Sequence, residues 1–139
     1  FLGAAFSADE KAMIPTVTVS ADKNPEYSTD PGNATQDQVF LLSIPEANTY
    51  FNSNNARQCK PTDYAVANGA YVNSSNGNCW WWLRSPGVTQ SYAACVDNDG
   101  DVCEVGDAVD SGGGVFESGN GFIDVDDAVR PALWIDLNS

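Results

Sequence analysis

The sequence predicts an α+β fold: short helices early, then a small, mostly antiparallel sheet with long irregular loops. Two observations carry this. Capping boxes stand at Ser7–Glu10 and Ser43–Glu46, where a serine and a glutamate three residues on satisfy each other's backbone donors. From Cys79 onward, short apolar runs are separated by Gly, Asn and Asp turns, the signature of strands. Helices before strands, without an internal repeat, argue α+β. At 139 residues with 42% hydrophobic content, the chain is one globular domain by size.

The elements follow in order. Ser7 caps a helix over 8–13, which Pro15 ends. Thr16–Ser20 alternates β-branched with small residues and reads as a strand. Residues 22–36 are rich in Asp, Asn, Pro, Ser and Gly and read as a long loop. Gln38–Ser43 reads as a buried strand, and Ser43 caps a helix to Phe51 with Pro45 in its first turn. Thr62 caps a helix over 63–68 that Gly69 closes. Strands are expected at Cys79–Ser85, Tyr92–Val96 and Val102–Val105, with a turn at Asp97–Gly100. Val115–Glu117 and Phe122–Val125 flank a hairpin signal, Ser118–Gly121, and Arg130–Leu137 reads as a closing strand.

Charge narrows the function. The net charge is −13. Residues 1–87 contribute −3 and residues 88–129 contribute −10, with no base in the latter stretch. Such a surface repels nucleic-acid backbones and anionic lipid, so neither is an expected partner. No apolar run approaches the roughly 18 residues of a membrane helix, so membrane insertion is not expected. The chain has no histidine, which removes the serine triad and every histidine-bearing metal site. Among 19 acidic residues some pair always lies close, so paired carboxylates alone do not predict glycosidase chemistry. No enzymatic activity is expected. The chain begins at Phe1 without a methionine, which reads as the C-terminal part of a longer chain.

Four motifs carry structural expectations. Alternation along Trp80-Trp81-Trp82 sends Trp81 to one face and its neighbours to the other, so this strand is expected to be covered on both sides rather than to form a sugar platform. Arg84 and Arg130 flank apolar strands, where a planar guanidinium can tie backbone carbonyls or a buried carboxylate. Cys59, Cys79, Cys95 and Cys103 are disulfide candidates with three connectivities; Cys59 with Cys79 and Cys95 with Cys103 suit the expected elements. None forms a C-x-x-C pair, so zinc is not expected. No cofactor is expected, although Asp97, Asp99 and Asp101 with Asp107 and Asp110 leave calcium as an alternative.

The motifs V-F-L-L-S-I-P-E-A (39–47), W-W-W-L-R-S-P-G (80–87), Y-A-A-C-V (92–96), D-G-D-V (99–102) and V-R-P-A-L-W-I (129–135) together resemble an uncharacterised bacterial domain family. Its members carry W-W-L-R-S-P-G, then A-A-Y-V-N-x-D-G-x-V, then G-V-R-P-A-L, and the resemblance covers about residues 38–137. That family is similar to the C-type-lectin-like fold of formylglycine-generating enzymes, which also serves the variable proteins of diversity-generating retroelements. The resemblance implies a scaffold at 37–87 and 130–139, locked by Trp81, Arg84, Arg130 and Trp134, with a variable loop region at 88–129. Adenine-directed rewriting of Asn codons cannot yield Lys, Gln, Glu, Met or Trp. Within 88–129 only Gln90, Glu104 and Glu117 lie outside the reachable set. Here Cys95 stands where the family has tyrosine, and residues from about 112 to 126 are extra.

The implied function is a ligand-binding display module. Its contact residues would be Ser91, Tyr92, Cys95, Asp97, Asn98, Cys103, Val105, Asp107, Ala108, Asp110 and Ser111. Its target would be a protein or glycan on another cell or surface, and its location the cell surface, the secreted fraction or a phage virion. The alternative is a fixed adhesion or structural module.

Overall fold

Both capping boxes form. The computed structural model describes residues 2–108 and 127–137. Within them, helix α1 spans Leu2–Ala5 and α2 spans Ala8–Ala12, one residue short of expectation because Met13 is its C-cap. Strand β1 (Val17–Val19) pairs antiparallel with β2 (Thr35–Asp37), which lies in the stretch read as a loop. Helix α3 runs Ile44–Tyr50 and α5 runs Asp63–Ala67. Between them α4, Asn54–Arg57, is a single turn capped by the Ser53 hydroxyl. The main sheet orders β3 (Trp81–Pro86), β4 (Tyr92–Val96) and β5 (Val102–Ala108) side by side, all antiparallel. The expected hairpin at 115–125 lies outside the described residues.

Two expected strands are corrected. The segment 38–43 makes one bridge, Phe40 to Ala132, instead of a ladder. Its hydrogen bonds go to two partners. Phe40 exchanges both backbone bonds with Ala132, while the Leu42 carbonyl accepts from the Arg84 N–H at 2.9 Å. The closing segment 130–137 is likewise reduced to the Ala132 bridge. Ala128 joins Trp81 by a second, parallel bridge. The outer edge of β3 is therefore covered by 128 in its first half and by 42 in its second.

The core forms where the inner face of this sheet meets α3. Alternation holds: Trp81, Leu83 and Ser85 are buried, and Trp80, Trp82 and Arg84 alternate with them on the half-buried side. Trp81, Leu83, Ala94 and Val96 pack with Leu42, Ile44 and Ala47, each at most 8% exposed. Fully burying a side chain such as Leu83 or Ile44 is worth roughly 1.5–3 kcal/mol, so these few positions supply much of the stability. Phe51 meets Trp81 edge to face with ring centres 6.2 Å apart.

Candidate functional site

Arg84 is the brace under the candidate face. Its guanidinium donates to the carbonyls of Ser20 (3.0 Å) and Leu41 (2.9 Å), and to both carboxylate oxygens of Glu46. Asp22 lies 3.5 Å away. One side chain thus ties β3, the residue after β1, the 40–42 segment and the start of α3. Burial opposes ionisation of Glu46. The hydrogen bond from Arg84 and the Ser43 N–H outweigh it and hold the carboxyl below the ordinary carboxylate range.

Arg130 makes the second expected lock. It lies over the rings of Phe51 and Trp81, 4.6 and 4.9 Å from their centres, and donates to the Arg57 carbonyl. Trp134 is not buried as the framing reading requires. It is 51% exposed and meets Tyr50 edge to face at 6.4 Å. With Phe40, Phe51 and Arg130 these two rings line an apolar cleft of about 420 Å³.

A second brace is absent from the sequence reading. Asn24, 1% exposed, uses its whole hydrogen-bonding capacity. Its amide donates to the carbonyls of Pro86 (2.9 Å) and Glu104 (2.7 Å), and its oxygen accepts from the N–H groups of Glu26 and Tyr27. It pins the long loop to two sheet strands. The only signal in the sequence is the turn-forming Asn24-Pro25 pair.

Above these braces the β3–β4 turn reaches solvent. Val88, Thr89, Gln90 and Ser91 are exposed. The turn is set by the Gly87 N–H donating to the Tyr92 carbonyl at 2.7 Å and the Val88 N–H donating to the Val105 carbonyl at 2.8 Å. Gln90 donates to the Asp30 carbonyl and Thr29 to the Val88 carbonyl, joining turn and long loop. Between them lies a shallow cleft of about 300 Å³ with Asp30, Arg84, Gln90 and Tyr92 in its wall.

The expected contact residues divide. Ser91 is exposed, Val105 is 51% exposed, and Tyr92, Cys103 and Asp107 are half-buried. Ala108 ends β5 opposite Tyr92. Cys95 is wholly buried and lies beneath the face, not on it. Asp97 and Asn98 face the scaffold. The Asp97 carboxylate accepts the N–H groups of Asp99 and Asp101 at 2.9 Å. Asn98 accepts from Trp80 Nε1 through its side chain, and from Asn76 and Asn78 through its carbonyl. Asp110 and Ser111 lie outside the described residues.

Gly100 closes this turn at φ +85°, and a Cβ there would stand 2.0 Å from the Asn54 carbonyl oxygen. The three aspartates weighed for calcium are spent similarly: Asp99 accepts from Asn76 and Asp101 from Asn54. Among the described residues, the acidic and thiol groups that converge are instead Cys95, Asp107 and Asp127, with ligand atoms within 4.8 Å of one another.

The cysteines are free thiols arranged as two facing pairs. Cys95 sits opposite Cys103 in the β4–β5 register, and Cys59 bridges Cys79.

A family model described as a domain of unknown function, DUF6273, matches residues 1–137. The chain belongs to the DUF6273 family. The match reaches well N-terminal of the motifs that carried the resemblance, so α1, α2 and the β1–β2 pair fall within the DUF6273 unit. No curated protein and no solved structure matches the chain.

Proposed function

We propose that this DUF6273 chain is a ligand-binding display module on a C-type-lectin-like scaffold, presenting a face for a protein or glycan target. One observation carries the reading. An exposed turn, Val88–Ser91, and its cleft rest on two buried polar anchors, Arg84 and Asn24, that fix the strands below. Rigid support beneath a sequence-tolerant loop is what a display surface requires. Tyr92, half-buried at the cleft wall, supplies an amphipathic anchor of low conformational entropy. The meeting of segments near residues 40 and 132 beside the tryptophan–arginine strand suits a lectin-like closure. In this reading the molecule is the variable protein of a diversity-generating retroelement, carried on a cell surface, secreted or on a virion.

A second reading, a fixed adhesion module, is favoured by the turn at 97–101. Its polar groups are committed to Asn54, Asn76, Asn78 and Trp80, so these positions cannot change freely.

Sequencing this locus and its flanks from many related isolates separates the two. A variable protein shows substitutions at 88–91, 105 and 109–126, matched by adenines in a nearby template copy, and constancy at 94–101. Uniform sequence without a template refutes the variable reading and leaves the fixed module. For the binding face itself, the Gln90→Ala and Tyr92→Ala variants should lose glycan-array or target-cell binding while melting within about 3 °C of the parent, as expected of partly exposed positions. Undiminished binding by both would refute the placement of the face.

A further inference from the structure

The four cysteines are not spread through the molecule. Cys95 and Cys103 are direct partners across the β4–β5 ladder. Cys59 and Cys79 are direct partners in an isolated antiparallel bridge, with the Cys79 N–H donating to the Cys59 carbonyl at 2.8 Å. Residues opposed in antiparallel register have Cα atoms about 4.5–5.5 Å apart, inside the window of about 4.4–6.8 Å that a disulfide spans. Side chains at opposed positions also share a face of the sheet. Register thus places both pairs within disulfide reach. In both, one thiol is wholly buried (Cys79, Cys95) and its partner is half-buried (Cys59, Cys103).

We infer that Cys59–Cys79 and Cys95–Cys103 close as two disulfides by exchange with a small disulfide oxidant, the half-buried thiol of each pair being the entry point. The inference stands on register and burial, independently of the ligand reading. In each pair the entry thiolate attacks one sulfur of the oxidant, forming a mixed disulfide and releasing one small thiolate. The buried partner then attacks the entry sulfur, forms the protein disulfide and releases the second. The two protons of the cysteine pair end on the two released thiols. The pair loses two electrons and the oxidant gains them.

The surroundings favour Cys59 as the entry thiol of its pair. The facing Cys79 side chain works against burial, and with the nearby Arg130 charge it brings Cys59 down to about 6. The buried partners Cys79 and Cys95 are both pushed up, by the facing thiol and by burial.

The test uses the intact chain, reduced and then incubated at pH 7 with oxidised glutathione. Samples are quenched with iodoacetamide over time and digested with an Asp-directed protease plus chymotrypsin for mass spectrometry. The expected end state carries the 59–79 and 95–103 links and loses about 4 Da, one hydrogen per cysteine. Cys59→Ser and Cys103→Ser should each lose only their own link, which shows that each variant still folds. A 79–95 or other crossed link, or glutathione retained on Cys59, overturns the pairing. Persistent protection of Cys95 and Cys103, released by a chelator, would overturn the second disulfide in favour of a metal held by Cys95, Asp107 and Asp127.

Discussion

Replacing Arg84 by alanine removes the hinge of the frame under the candidate face, and its cost can be worked from the structure. The side chains of Arg84 and Glu46 are 15% and 26% exposed. Breaking a buried charge pair by deleting one partner costs about 3–5 kcal/mol, since the other charge is left uncompensated. Partial exposure of Glu46 lets water recover some of that, and the Ser43 N–H still donates to its carboxylate. Two further acceptors, the carbonyls of Ser20 and Leu41, lose their donor. The balance is about 3 kcal/mol, or a melting temperature lower by about 10 °C for a chain of this length. Thermal and urea melts of Arg84→Ala, Glu46→Gln and the double variant measure it as a cycle. Glu46→Gln alone should cost about 1–2 kcal/mol, with a coupling of at least 1 kcal/mol between the sites. A loss below about 1 kcal/mol for Arg84→Ala, or additivity within about 0.3 kcal/mol, would refute the brace.

Three other outcomes follow from the same contacts. Because the Glu46 carboxyl is held below its ordinary range, its contribution is complete above the unfolded carboxylate pKa, near 4.5, and is lost as pH falls through the lower folded value. Urea midpoints between pH 7 and pH 2 should drop less steeply in Glu46→Gln than in the parent. Asn24→Ala strips four hydrogen bonds at a buried site, leaves the Pro86 and Glu104 carbonyls without that donor, and should cost about 3 kcal/mol in a urea melt; a cost under 1 kcal/mol would refute its anchoring role. Gly100→Ala meets both a left-handed backbone and the Asn54 carbonyl, so it should destabilise by at least about 3 kcal/mol, whereas Gly32→Ala, with open space around it, should cost only its backbone strain of about 1 kcal/mol.

Elements whose cause is local were legible in the sequence. A serine and a glutamate three residues apart announce α2 and α3, and β4 and the Asp97–Gly100 turn fall where expected, while β3 starts two residues later than expected and ends one later. Arg84 was legible as a structural cation because it sits on an apolar strand. What escaped depends on distant partners. Thr35–Asp37 becomes a strand only because β1 lies alongside, and Asn24 is a brace only because Pro86 and Glu104 arrive beside it. The closing segment shows the converse. Its apolar pattern suggested a closing strand, but among the described residues it meets the scaffold through the single Ala132 bridge to Phe40, and Trp134 stands half in solvent.

Strand β5 is bulged: Ala93 faces Asp107 but Cys95 faces Cys103, so two residues of β4 span four of β5. An outer strand of a sheet normally offers a template on which a second copy can zip. Within the described residues, β5 is a poor template. Gly106 breaks its register at φ +72°, the Glu104 and Val105 carbonyls are already taken by Asn24 and Val88, and Asp101, Glu104 and Asp107 place like charges along it. Copies packed densely on a surface would repel along this rim before they could pair, so many could stand close together without their sheets merging.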